Sequence, residues 1–287
     1  MKLTKITFLF LLLLSFLFTA NSGSQVKTTS SKWKSPTFTI DIIGSFDVPL
    51  QEAKGNIGDF FTFKNYGTKV GFGAQFNFKF GLGRYGQYMP YITLGYAQLE
   101  NTDNNFAYID SNRIASGYPL RGSDVYSPTP GTSKMIIRNP YIGAGFEYAF
   151  TLADKKKRMW IPFIGAEFLV NVITGIYRQT PTTANPPSSG LSGLEVPFTI
   201  KSDIRFGIGA GAGLNIRLGK GAGIVVGAKY KLANLIGKNS DLLREENKMN
   251  LLDKAATDLN TNLSNNRNIG YMEIYLGATI FMGKSKN

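Results

Sequence analysis

The chain contains no cysteine and no histidine. Without cysteine there is no disulfide scaffold, no thiolate zinc site and no lipidated N-terminal cysteine. Without histidine the commonest general base and the commonest transition-metal ligand are missing, and no Ser-His arrangement can form. These absences argue against hydrolytic chemistry; no catalytic residue, cofactor or metal site is expected, and the chain reads as a non-enzyme. Long apolar runs are also scarce. Beyond residue 24 nothing reaches the length of a membrane helix.

Phe, Tyr and Gly are plentiful in the 287 residues, and mean hydropathy is near zero. A membrane helix bundle would be more hydrophobic, whereas a barrel strand is half polar. The net charge of +13 is spread over the leader, the segment after it, the run Lys155-Lys156-Lys157-Arg158 and the tail. No basic helix or aromatic-basic platform forms, so no nucleic-acid partner is expected.

The segment Lys201–Leu218 carries the clearest pattern. Its even positions, from Ile204 to Leu218, are apolar, and its odd positions are charged residues, Asn215 or the glycines Gly207 to Gly213. Period two with two chemically different faces is a β-strand, and an apolar outer face against a polar or small inner face suits a transmembrane barrel. Seven other segments repeat the even-apolar register: Thr37–Phe46, Lys69–Phe80, Tyr88–Gln98, Arg138–Phe150, Met159–Ile173, Gly221–Leu232 and Gly270–Phe281.

Met1 to Ser24 has the basic start and short apolar run of a secretory signal peptide, and 25–36 reads as a periplasmic N-terminal linker. Residues 37–282 then form the barrel, with long loops at 47–68, 99–137, 174–200 and 233–269 and short turns between, followed by a periplasmic tail at 283–287. Short turns on one end and long loops on the other place the turns and both termini in the periplasm. Residues 240–263 read either as a surface helix beside the barrel mouth or as a mobile loop with helical propensity.

Gly81-Leu82-Gly83-Arg84-Tyr85-Gly86 matches a dinucleotide fingerprint, but strand-like residues and Pro90 follow it, so it reads as a hairpin turn. The inward face gathers charges of both signs: Asp41, Lys69, Lys79, Glu147, Glu167, Asp203, Arg205, Arg217, Lys229, Lys231 and Glu273. In a lumen just wide enough for side chains, these are expected to pair as a structural network; a narrow polar channel is the alternative. Trp33, Phe46, Tyr66, Tyr88, Tyr148, Phe150 and Trp160 fall where interfacial girdles form.

The last strand, Tyr275-Leu276-Gly277-Ala278-Thr279-Ile280-Phe281-Met282, resembles the C-terminal β-signal of outer-membrane proteins, with a glycine followed by hydrophobes. In layout and periodicity the chain is similar to the small eight-stranded outer-membrane barrels of the OmpA/OmpX-like or opacity-protein-like group. The resemblance implies an all-β, eight-stranded antiparallel up-and-down transmembrane β-barrel with short periplasmic turns and long extracellular loops. It also implies outer-membrane lipid around the barrel and insertion by the barrel-assembly machinery, which reads Tyr275, Gly277, Ile280 and Met282. The loops would serve a structural, adhesive or partner-binding role, and the alternative is a channel or transporter for a small or hydrophobic solute.

Overall fold

The computed structural model describes residues 37–61, 63–83, 86–107, 128–150, 159–181, 196–219, 221–240, 248–254 and 266–283. The expected leader and linker, with Trp33, and the tail beyond Gly283 lie outside these. Eight long strands form in chain order: β1 (Phe38–Leu50), β2 (Val70–Phe80), β3 (Tyr88–Ala107), β4 (Pro128–Ala149), β5 (Trp160–Pro181), β6 (Val196–Arg217), β7 (Ala222–Ile236) and β9 (Gly270–Met282). Each pairs antiparallel with its sequence neighbours, and β1 pairs with β9, so the sheet closes on itself. Closure removes the free edges that an open sheet of this size would present. A two-residue strand, β8 (Lys248–Met249), adds parallel to β6.

The period of two decides which way each side chain points. Odd residues of β1 and β2, such as Asp41, Gln75, Asn77 and Lys79, are buried in the lumen. Even residues project outward, and large apolar ones remain exposed: Phe72 at 48 %, Phe168 at 47 %, Ile208 at 44 %. A continuous apolar exterior of this kind is a lipid-facing surface, not the surface of a soluble monomer.

The strands are not equal in length. β4, β5 and β6 have 22 residues each and β3 has 20, against 13, 11, 15 and 13 in β1, β2, β7 and β9. The last β3 residue paired with β2 is Glu100, while β3 and β4 stay paired as far as Ala107 and Pro128. Four strands therefore overhang the barrel on the loop side as a projecting sheet. The expected loops 99–137 and 174–200 shrink accordingly, because polar residues such as Thr102, Lys134 and Thr180 continue the ladder above the apolar belt. β1 also runs on through Asp47 to Leu50, and β7 through Ala233 to Ile236.

Two bulges reset the register. Ile173 pairs with Asp203 but Gly175 pairs with Ile200, which leaves Lys201 and Ser202 facing one residue. Above this bulge the even residues of β6 turn inward, so Phe198 and Ile200 are buried, contrary to a uniform even-outward register. In β7 a second irregularity beside Phe206 and Ile208 sends both Ala233 and Asn234 inward.

The connection between β1 and β2 forms a 3₁₀ turn (Gln51–Ala53) and a single-turn helix, α1 (Ile57–Phe61). Phe60 and Phe61 pack in one apolar cluster with Tyr177, Phe198, Met249, Leu251, Tyr141 and Tyr271. The helix expected over 240–263 is absent where residues are described: 248–249 is strand, and 251–253 is irregular and buried, with Leu252 at a φ of 47°. Pairing with Thr199 and Ile200 and burial of Met249, Leu251 and Leu252 outweigh a weak local helix preference. Residues 241–247 and 255–263 of that expectation lie outside the described residues.

Candidate functional site

Ionisable side chains converge in the lumen. At the turn end, Lys79 Nζ lies 2.6 Å from Asp41 and 2.6 Å from Glu147, and Thr279 donates to Asp41 at 2.8 Å. The strand register makes this possible, since Asp41 starts β1 while Lys79 and Glu147 end β2 and β4. Further up, Glu167 accepts from Lys229 at 2.8 Å and from the Tyr91 hydroxyl at 2.9 Å. Lys231 pairs with Glu273, sits 3.8 Å from Glu167, and donates to the Tyr141 hydroxyl at 2.6 Å. All these residues are at most 7 % exposed. A buried charge without a partner is strongly unfavourable, so opposite charges at these spacings are what let a lumen this narrow be polar.

The inward glycines make room for inward rings. A Cβ placed on Gly95 would collide with the Tyr141 ring, one on Gly145 with the Tyr91 ring, and one on Gly227 with the Tyr275 hydroxyl at 2.5 Å. The outer end of each tyrosine thus occupies the space over a glycine of the neighbouring strand. Gly209 and Gly213 serve Glu167 and Phe163 in the same way. At the expected Gly81–Gly86 turn, Gly83 and Gly86 have φ of 83° and 64°, and Gly86 donates to the Gly83 carbonyl at 3.2 Å; Arg84 and Tyr85 lie outside the described residues.

A second polar cluster lies at the loop end. Arg205, 1 % exposed, grips Asp253 through Nε at 2.8 Å and Nη2 at 3.0 Å, and pairs with Asp203 at 2.7 Å. The β7 bulge aims Asn234 at the same carboxylate (3.0 Å) and at the Arg267 carbonyl (2.9 Å). Arg267, also 1 % exposed, donates to the carbonyls of Leu251 (2.5 Å), Leu252 (3.1 Å), Asn65 (3.1 Å) and Phe60 (3.4 Å), and lies over the Tyr66 ring at 4.3 Å. One guanidinium therefore ties together the loop after β1 and the loop after β8. Burial pushes its pKa below the usual arginine range and pushes that of Tyr66 up.

Of the residues expected to line the lumen, Asp41, Lys79, Glu147, Glu167, Lys229, Lys231 and Glu273 are brought together there. Asp203 and Arg205 belong instead to the loop-end cluster. Lys69 is a correction: it precedes β2 just after the Lys54–Thr68 bridge and is exposed. Arg217 is another: it sits at the turn end of β6, 4.9 Å from the Phe281 ring centroid. Tyr66 is buried under Arg267, not girdling the exterior. Of the assembly-signal residues, Tyr275 points inward, while Ile280 and Met282 are exposed. Sequence reasoning missed Asp47, Asp253 and Arg267. Asp47 continues the odd inward register of β1 and could have been found that way. Asp253 and Arg267 are isolated polar residues in a loop without periodicity, and no pattern marks them.

No protein-family model matches the chain. No curated protein matches it at a significant level either. Among solved structures, the chain is similar to Neisserial surface protein A, with 11 % identity, TM-score 0.39, covering 86 % of this chain and 97 % of that one. It is similar to Ail, the attachment invasion locus protein of Yersinia pestis, with 9 % identity, TM-score 0.33, covering 86 % and 98 %. It is also similar to the outer membrane protease OmpT of Escherichia coli, with 11 % identity, TM-score 0.38, covering 89 % and 100 %. At this level of similarity nothing about activity is carried over, and the closed eight-stranded barrel rests on the strand pairing described above.

Proposed function

We propose that this chain is a non-enzymatic integral protein of a bacterial outer membrane, exported through a cleaved signal peptide at 1–24 and closed to solute flow. Its loops and projecting sheet then carry its work at the cell surface, as a structural, adhesive or partner-binding element. The observation that carries this reading is the filled lumen. Lys79, Lys229 and Lys231 are each held by buried carboxylates, tyrosines lie over the inward glycines, and Arg267 with its loop carbonyls lies across the loop end. A solute would have to break buried ion pairs to pass, which costs several kcal/mol each.

Insertion by the barrel-assembly machinery would use the last strand, with Gly277, Ile280 and Met282 as the recognised residues and Tyr275 anchored in the lumen. Fractionation with the outer membrane and heat-modifiable gel migration test the location; recovery in the soluble periplasm refutes it. Single-channel recording on refolded protein tests the seal. Silence is the expected result, and steady conductance would establish the narrow-channel alternative instead.

A further inference from the structure

We propose that the upper lumen binds one additional monovalent cation, a proton or an alkali ion, at the Asp47 carboxylate where it stands against Glu273. The charge count motivates this. Inside the barrel the strands bury five carboxylates (Asp41, Asp47, Glu147, Glu167 and Glu273) but three lysines (Lys79, Lys229 and Lys231). The arginines do not redress the balance, because Arg205 is engaged by Asp203 and Asp253, and Arg267 donates to loop carbonyls. At the turn end one lysine is shared, with Lys79 Nζ 2.6 Å from both Asp41 and Glu147. Above it, Lys229 and Lys231 are taken up by Glu167 and Glu273. Asp47 is left over: among the described residues it has no lysine or arginine in ion-pair contact.

The register sets this carboxylate in an unfavourable row. Asp47 of β1 lies directly opposite Glu273 of β9, and its neighbour on the other side is Gly71 of β2. Like charges directly opposed on adjacent strands repel. Asp47 is wholly buried and Glu273 is 2 % exposed. Ser45 donates to Asp47 Oδ1 at 2.9 Å, but Asp47 Oδ2 has no partner and neither has Glu273 Oε1. The fully buried Tyr271 hydroxyl, within electrostatic reach of both carboxylates, is unpartnered as well. The other titratable groups facing Asp47 are Lys231 on β7 and Tyr141 on β4. Lys231 is already committed to Glu273, Gln75 and the Tyr141 hydroxyl. Water supplies hydrogen bonds here but no charge, and an uncompensated buried carboxylate is strongly unfavourable. A bound cation neutralises the odd carboxylate and gives the unpartnered oxygens a positive charge to face. Since β1 and β9 are the first and last strands, the cation sits on the seam at which the barrel closes.

Urea unfolding of the parent protein and of Asp47→Asn, both refolded into vesicles, tests this whatever the loops do at the cell surface. If the cation is a proton, the folded barrel holds a proton that the unfolded chain lacks, so raising the pH favours unfolding. The parent's unfolding constant should then rise by up to about tenfold per pH unit above the ordinary carboxylate range. Infrared spectra should also show a protonated carboxyl group that Asp47→Asn lacks. If the cation is an alkali ion, replacing choline chloride by sodium chloride at constant ionic strength should lower the unfolding constant by up to about tenfold per decade of sodium, without that carboxyl band. Asp47→Asn keeps an oxygen for the Ser45 hydroxyl and should lose whichever dependence the parent shows. At alkaline pH without sodium it should unfold at a higher urea midpoint than the parent, because the odd charge is gone. A parent that responds to neither pH nor sodium overturns the inference, with no variant needed. So does an Asp47→Asn protein that keeps the parent's dependence. A lower midpoint for Asp47→Asn under every condition overturns it too, and reduces Asp47 to a hydrogen-bonding partner of Ser45.

Discussion

Inside the barrel, side-chain identity is dictated by what the neighbouring strand leaves open. Gly145 is the plainest case. Its missing Cβ is the space in which the Tyr91 ring lies, and Tyr91 in turn donates to Glu167 at 2.9 Å. A larger residue at 145 would lift the ring and strain that hydrogen bond. Gly145→Val is expected to cost about 1–3 kcal/mol, the usual penalty of overpacking, seen as a lower urea midpoint in lipid. The same substitution in a Tyr91→Ala background should cost less, since the ring no longer contests the space. A double-mutant cycle measures that coupling, and equal costs in both backgrounds would show that the ring is not what the glycine serves.

At the scale of a strand, the alternation of faces is what makes the chain legible. β6 shows both its reach and its end. From Ile204 downward the even residues face out, as the sequence alone indicates, because lipid on one side and a packed lumen on the other impose opposite chemistry on adjacent residues. Arg at Ile208 should therefore cost about 2–4 kcal/mol near the midplane, measured by refolding into vesicles, whereas Arg at exposed Lys69 should be tolerated. Equal tolerance at the two sites would contradict lipid facing. Above Ser202 the rule lapses. A bulge is one extra residue with no hydrophobic signature, so Phe198 and Ile200 could not be assigned inward from the pattern. The same holds for the loop after β7. Leu242, Met249, Leu252 and Leu259 sit at helical spacing, yet Met249 pairs as strand and Leu252 adopts a φ of 47°, because the open β6 edge and the buried Arg267 offer backbone partners that an isolated helix turn does not. Of the lumen network the strand residues were legible; Asp253 and Arg267 were not, since their partners come from distant loops.

For the molecule as a whole, two layers of side chains among the described residues cross the lumen. The strand-borne layer consists of the Lys231–Glu273–Glu167 cluster with the Tyr91 and Tyr141 rings, and the loop-borne layer of Arg267, Asp253 and the apolar cluster around Phe60 and Phe61. Tyr141 and Tyr271 belong to that same apolar cluster, so the two layers touch. On the proposed closed-lumen reading, each densely packed layer is expected to exclude ions by itself. Arg267→Ala should loosen the loop layer yet leave the barrel silent in single-channel recordings, because the charged layer still fills the lumen. Tyr91→Ala with Tyr141→Ala should thin the strand layer and also stay silent beneath intact loops. All three together should give discrete openings, provided heat-modifiable migration shows that the barrel still forms. Conductance in either partial variant would mean that one layer alone makes the seal. Silence of the combined variant would place the constriction at the Asp41–Lys79–Glu147 cluster near the turn end, where Lys79→Ala would then be the substitution that opens the barrel.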